Sequence, residues 1–259
     1  MNLVRQSLPS LFTLGSLFCG LLSVVYTLDG SEEGLITAAW LIIAAAIFDA
    51  LDGKVSRIFN TQSRFGVELD SIVDVCSFGF APAVLCYQFT ISHLSGWQSM
   101  AFPVSFIFLA CGALRLARFN VQLKGFDKNS YRGLPIPTAA GTVAAFIVFM
   151  KSDIMADVSV EWVLPVLVLL VAALMVSTMK YDTLPRLAWG TTPNRVKLVI
   201  LLVWLVFVAF YPAEAFFPLG ALYITFGLLR AGVLLLRGQR RVALEESTAA
   251  AESTDRRRV

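Results

Sequence analysis

Residues 49–74 read DALDGKVSRIFNTQSRFGVELDSIVD, and this stretch decides how the rest of the chain is read. It holds four aspartates in two pairs, Asp49 with Asp52 and Asp70 with Asp74. Spacings of three and four residues put both members of a pair on one helix face. The polar turn between the pairs, Asn60 to Arg64, is short, so the two helices are antiparallel neighbours. Long apolar runs flank the stretch on both sides. A charged side chain at a bilayer centre costs at least ~2.5–3.5 kcal/mol, so the four acids need compensation.

Outward from there, the chain of 259 residues is 57% hydrophobic and only 15% charged, with a mean hydropathy of +0.73. Soluble domains carry about a quarter charged residues. Strict polar–apolar alternation is absent, which disfavours a barrel. In lipid the remaining option is helices, which satisfy their own backbone hydrogen bonds. The expected fold is all-α: a polytopic integral membrane protein of about eight transmembrane helices. The expected spans are 8–28, 35–52, 65–92 with a kink at Pro82, 97–119, 133–150, 162–179, 196–211 and 216–236. They form a single membrane domain, 1–236. Residues 237–259 read as a charged, disordered tail. The first span is expected to be retained rather than cleaved as a signal peptide.

Charge tests this count. Eight spans put both termini on one side, and then Lys151 alone of the 21 Lys and Arg falls on the other. The far loops instead hold Asp29, Glu32, Glu33, Asp153, Asp157, Glu161 and Glu214. The positive-inside rule places both termini and both aspartate pairs at the cytoplasmic face. Cys19, Cys76, Cys86 and Cys111 lie in apolar segments without CxxC spacing and read as small buried apolar residues. His93 reads as an interfacial residue without chemistry.

Three routes compensate clustered carboxylates: protonation, salt bridges to Lys54, Arg57 and Arg64, or divalent cations. All-oxygen ligation suits Mg²⁺ or Mn²⁺. The acids alone leave metal-assisted catalysis and ion or proton transport both open. Their neighbours shift the balance. Gly53 and Gly66 either let a bulky ligand approach the helices or serve close helix packing. Arg57 can fork onto a phosphate. Two metals, an arginine and a glycine-lined cleft suit a pyrophosphate better than a proton. Carriers show paired halves, whereas these acids have no matching second set.

The run Asp52-Gly53-x-x-Ser56-Arg57, then Gly66, Asp70 and Asp74 at fixed spacing, resembles the signature of the CDP-alcohol phosphatidyltransferases. Ser56 stands where that family usually has Ala. Further pieces resemble the branch that makes phosphatidylserine: LPSLFTLGSLFCG from Leu8, FNTQSRFGVELDSIVDVCSFGFAPA from Phe59, GALRLARFN from Gly112, GLPIPTAAG from Gly133 and LMVSTMKY from Leu174. In the first of these, Ser10 and Ser16 replace common asparagines.

The resemblance implies transfer of a phosphatidyl group from CDP-diacylglycerol to L-serine at a bacterial-type inner membrane. Asp49, Asp52, Asp70 and Asp74 would ligate two Mg²⁺ or Mn²⁺ ions. Asp74 would also be the general base. Gly53, Ser56, Arg57 and Gly66 would line the CDP site. For the serine carboxylate the candidates are Arg118 (first choice, beside Asn120), Arg115, Arg132 and Lys180, and Glu68 would meet the ammonium. Each of these cations has a competing role as a positive-inside anchor. More anionic acceptors, glycerol 3-phosphate or inositol phosphate, would require a denser basic pocket. The resemblance also implies a homodimer, and nothing points to nucleic acid.

Overall fold

The computed structural model describes residues 2–59, 64–124, 133–155, 161–179, 207–208, 211–230 and 232, with side chains from residue 11 onward except those of residues 57–59, 64, 122–124 and 153. Among them there is no strand. The helices are α1 (Asn2–Asp29), α2 (Glu32–Phe59), α3 (Arg64–Asp74), α4 (Ala81–His93), α5 (Gln98–Lys124), α6 (Ile136–Met150), α7 (Val163–Val176) and α8 (Pro212–Arg230). A π-helical segment, Val75–Phe80, joins α3 to α4, so Phe65–His93 forms one continuous span. Five helical spans are long and apolar enough to cross a membrane, and α6 and α7 are shorter apolar helices. The protein is a polytopic membrane protein. The expected seventh span, 196–211, lies almost wholly outside the described residues, as does the tail 237–259. The chain divides into two compact units, Met1–Gly220 and Ala221–Val259, with the boundary inside α8. The described part of the second unit is the end of that helix, where the Thr225 hydroxyl donates back to Ala221 O.

Helix α1 shows why lipid is the natural solvent. Its outward face carries Leu11, Leu14, Phe18, Leu21, Val25 and Leu28, all exposed. Its inward face carries Thr13, Ser16, Ser23 and Thr27, all buried. A soluble helix would show the reverse pattern. In a membrane, small and hydroxyl-bearing residues face the neighbouring helix, because lipid chains are as apolar as leucine. Ser23 Oγ accordingly donates to Ala38 O of α2 across the interface. The packing axis of the bundle is α6, buried almost all round from Ile136 to Met150.

The spans alternate in direction, with α3 and α4 counted as one, and their end contacts show it. At one end Gly30, with φ of 70°, turns α1 into α2, and Ser31 Oγ accepts from Gly34 N–H as an N-cap. Lys151, just after α6, meets Glu32 in the first turn of α2 at 2.8 Å. The expected lone cation of that side thus has an acidic partner there. At the opposite end stand the end of α2, the start of α3, the end of α5, the start of α6 and the end of α7.

The kink expected at Pro82 takes another form. Proline lacks an N–H and clashes with the carbonyl four residues back, here Phe78. The helix widens just upstream instead, and Ala81 N–H reaches back five residues to Cys76 O. The widened segment meets α1 closely, and Ser77 Oγ donates to Ser16 O at 3.1 Å. Of the cysteines, Cys19 and Cys86 are buried as expected and Cys111 is half-buried. Cys76 is exposed on the outer surface. A thiol is apolar enough to face lipid as well as a core, so burial does not follow from an apolar setting.

The GLPIP turn before α6 is fixed by backbone geometry. Gly133 has φ of 86°, its N–H donates to Met179 O at 2.8 Å, and Leu134 N–H donates to Leu174 O at 3.0 Å. A Cβ at Gly133 would lie 2.2 Å from Met175 O. Gly133→Ala should therefore destabilise the fold by at least the ~1–3 kcal/mol of a strained backbone, read as a lower thermal midpoint in detergent. Gly141→Ala in α6, where a Cβ meets nothing within 4 Å, should be neutral or slightly stabilising. Equal midpoints for both variants would contradict this account of the turn.

Candidate active site

The second half of α2 and the helix α3 each bring acids to the end of the bundle where α5 and α7 finish. Asp49 comes from α2, and Asp70 and Asp74 come from α3. One carboxylate oxygen from each lies within 4.8 Å of the others. Asp49 and Asp70 are half-buried. The donor set is three hard oxygens, without nitrogen or sulfur. Ligands across an octahedral Mg²⁺ are about 4.2 Å apart and across Ca²⁺ about 5 Å, so this cluster has the dimensions of a divalent-cation site. Asp52 stands beside that trio rather than in it. It is buried, and one of its oxygens accepts a hydrogen bond from Thr13 Oγ1 of α1. It remains close enough to act electrostatically on Asp49 and Asp70.

Among the described residues, Arg115 on α5 is the cation in electrostatic range of this group. It is half-buried, within electrostatic range of Asp49 and Asp74, and its guanidinium lies over the Phe119 ring at 5.9 Å. Below the acids, Asn120 Nδ2 donates to Ser71 Oγ at 3.0 Å, which ties the end of α5 to α3 between Asp70 and Asp74. Lys54 and Gly53 are exposed in the last turns of α2, Ser56 is half-buried there, and Gly66 is half-buried in the first turn of α3.

The Arg118 guanidinium is held against α7. Nη1 donates to Val176 O at 2.9 Å and Nη2 donates to Ser177 O at 3.1 Å. Helix ends leave carbonyls without intrahelical partners, and a cation there also suits the dipole. Glu68 is exposed on α3. Arg132, Lys180 and the side chain of Arg57 lie outside the described residues, as does that of Ser10. Ser16 is buried one turn from Thr13, and its hydroxyl has no hydrogen-bond partner among the described residues. His93, as expected, takes no part: it stacks on Phe89 with centroids 4.3 Å apart at the other end of the bundle.

Sequence reasoning missed Thr13 and Ser71. Both are hydroxyls in helices, and a hydroxyl that bonds a distant side chain, as Thr13 bonds Asp52 and Ser71 bonds Asn120, looks the same in sequence as one that bonds only its own helix. Thr27 and Thr142 are of the second kind, donating to the carbonyl four residues back. A clue was present, since Thr13 recurs with Ser16, Ser23 and Thr27 at helical spacing in an apolar span.

Comparison with known proteins agrees with the geometry. The family model for CDP-alcohol phosphatidyltransferase matches residues 6–174, which include every acid of the cluster. A CDP-diacylglycerol–serine O-phosphatidyltransferase of Helicobacter pylori (strain ATCC 700392 / 26695) is 36% identical over 222 residues, covering 86% of this chain and 90% of that protein. A protein of the same name from Methanocaldococcus jannaschii is 41% identical over 153 residues, 59% of this chain and 67% of its own. An archaetidylserine synthase of Methanothermobacter thermautotrophicus is 34% identical over 187 residues, 71% of this chain and 73% of its own. With its oxygen-only acid cluster at the junction of α2 and α3 inside the matched region, the chain belongs to the CDP-alcohol phosphatidyltransferase family.

Proposed function

We propose that this transferase moves the phosphatidyl group of CDP-diacylglycerol onto the hydroxyl of L-serine, giving phosphatidylserine and CMP. The observation that carries the reading is the trio of carboxylate oxygens within 4.8 Å at the ends of two membrane helices, in a chain whose full-length relatives bear that name. Asp49, Asp52, Asp70 and Asp74 would hold Mg²⁺ or Mn²⁺, in two sites. Bound there, such ions polarise phosphoryl oxygens and stabilise the charge of departing CMP.

The protein's own groups do the rest. Gly53, Ser56, Arg57 and Gly66 form the cradle for the cytidine diphosphate, the glycines allowing close approach and the arginine forking onto phosphate. The acyl chains stay in the bilayer, which keeps the reacting phosphorus at one depth. The Asp74 carboxylate takes the proton of the serine hydroxyl. The serine oxygen forms a new bond to the phosphorus that carries diacylglycerol, and the bond from that phosphorus to the CMP oxygen breaks. The acceptor pocket is assigned to the end of α5, with Arg118 and Asn120 toward the serine carboxylate. Arg115, Arg132 and Lys180 supply further positive charge, and Glu68 faces the ammonium. The site faces the cytoplasm of a bacterial-type inner membrane, following the basic residues at this end of the bundle. The working form is a homodimer.

Purified protein with CDP-diacylglycerol, Mn²⁺ or Mg²⁺ and labelled serine should release CMP and form labelled phosphatidylserine. Faster CMP release with glycerol 3-phosphate or inositol phosphate than with serine would reassign the acceptor. For the base, Asp74→Asn should keep CDP-diacylglycerol affinity within a few-fold and lose at least ~100-fold in kcat. A near-normal rate would mean another group takes the proton. For the acceptor pocket, Arg118→Ala should raise the serine KM about tenfold or more while the CDP-diacylglycerol KM stays nearly constant. Equal rises in both would leave Arg118 as a fastener of α7 only.

A further inference from the structure

Helix α1 reaches Asp52 through Thr13. Thr13 is 4% exposed, and its hydroxyl donates to Asp52, itself 8% exposed. The position of Thr13 is not left to α1 alone. One turn further on, Ser16 O accepts the Ser77 hydroxyl from the π-helical segment, three residues after Asp74. One more turn along, a Cβ on Gly20 would lie 2.9 Å from Ser77 Cα, so α1 approaches that segment backbone to backbone. The same segment that carries Asp74 onward thus fixes the height and rotation of α1, and α1 in turn holds Asp52.

The consequence lies in the way the four acids are divided. Asp49, Asp70 and Asp74 converge, while Asp52 has one oxygen engaged by Thr13. A hydroxyl donating to one oxygen of a carboxylate fixes its rotamer and leaves the second oxygen available to a cation. Partners of this kind, one shell out from a metal, commonly change metal affinity 10- to 100-fold when removed.

We propose that Thr13 is a positioning residue that orients Asp52 as a ligand for a divalent cation, so that α1 belongs to the metal site without touching the metal. This rests on the metal reading given above. The test is binding of Mn²⁺ alone, with no substrate, to detergent-purified protein, read from loss of the free-ion paramagnetic resonance signal and paired with a thermal midpoint for each variant. Thr13→Val keeps the shape and removes the hydroxyl. It should keep a cooperative unfolding transition and weaken Mn²⁺ binding about 10- to 100-fold. Thr13→Ser should return affinity to within about threefold of wild type, because the donor is restored. Should Thr13→Val fail to purify, Thr13→Ala provides the same comparison.

A double variant separates positioning from packing. In an Asp52→Asn background, Thr13→Val should weaken Mn²⁺ binding no further, since its effect passes through Asp52. Wild-type affinity in Thr13→Val, or an undiminished loss in the Asp52→Asn background, would overturn the proposal while the metal reading stands. Absence of Mn²⁺ binding by the wild-type protein would overturn both.

Discussion

Three carboxylates held within 4.8 Å of one another at the ends of membrane helices are the constraint on which this structure depends. At that separation, with an effective dielectric near 20, each pair of charges repels by about 3–4 kcal/mol. Asp52 adds a fourth acid alongside. Among the described residues Arg115 is the cation in electrostatic range of Asp49 and Asp74, and a single cation does not balance four acids. The bundle must therefore hold these acids together against their own repulsion. It does so through α1, which packs along α2 and grips the segment after Asp74, and through the Ser71–Asn120 bond that fastens α3 to α5. Such an arrangement is a poor way to build stability and a good way to hold a site that cations complete.

The solvent makes this possible. With lipid outside, there is no hydrophobic gain in turning leucines inward, so α1 is free to present Leu11, Phe18 and Leu21 outward and its hydroxyls inward. That inversion puts polar atoms where the acids need them. The same logic accounts for the arginine at the end of α5. Arg118 satisfies the last carbonyls of α7, which have no intrahelical partners, and fixes α7 beside the Gly133 turn. The end of the bundle that holds the acid cluster is thus cross-linked by polar contacts between helices, while α6 forms an apolar axis through the middle.

Much of this could be read from the sequence, for physical reasons. Length and apolarity of the spans follow from bilayer thickness, and the side of Lys151 follows from charge asymmetry. The Lys151–Glu32 pair agrees with that assignment. The proximity of Asp49, Asp70 and Asp74 followed from a short turn and helical spacing. What escaped was anything set by packing between distant elements. Widening of the helix before Pro82 depends on where the ring would clash, and the sequence shows only that it must do so somewhere. The grip of Arg118 on α7 depends on two helix ends meeting, 58 residues apart in sequence. Exposure of Cys76 depends on which way a π-helical turn faces.

The rule that residues three or four apart share a helix face is also too coarse for the acids themselves. At about 100° per residue, Asp74 is rotated some 40° from Asp70, but Asp52 is rotated some 60° the other way from Asp49. The pair on α3 can converge on one point, whereas the pair on α2 diverges. If Asp49 is aimed at α3, Asp52 is turned toward a third element, and the element in that place is α1. A carboxylate so directed would be left buried without a partner unless α1 offered a donor. Thr13 is that donor, and its place among the inward hydroxyls of α1 follows from the angle at which Asp52 leaves its helix.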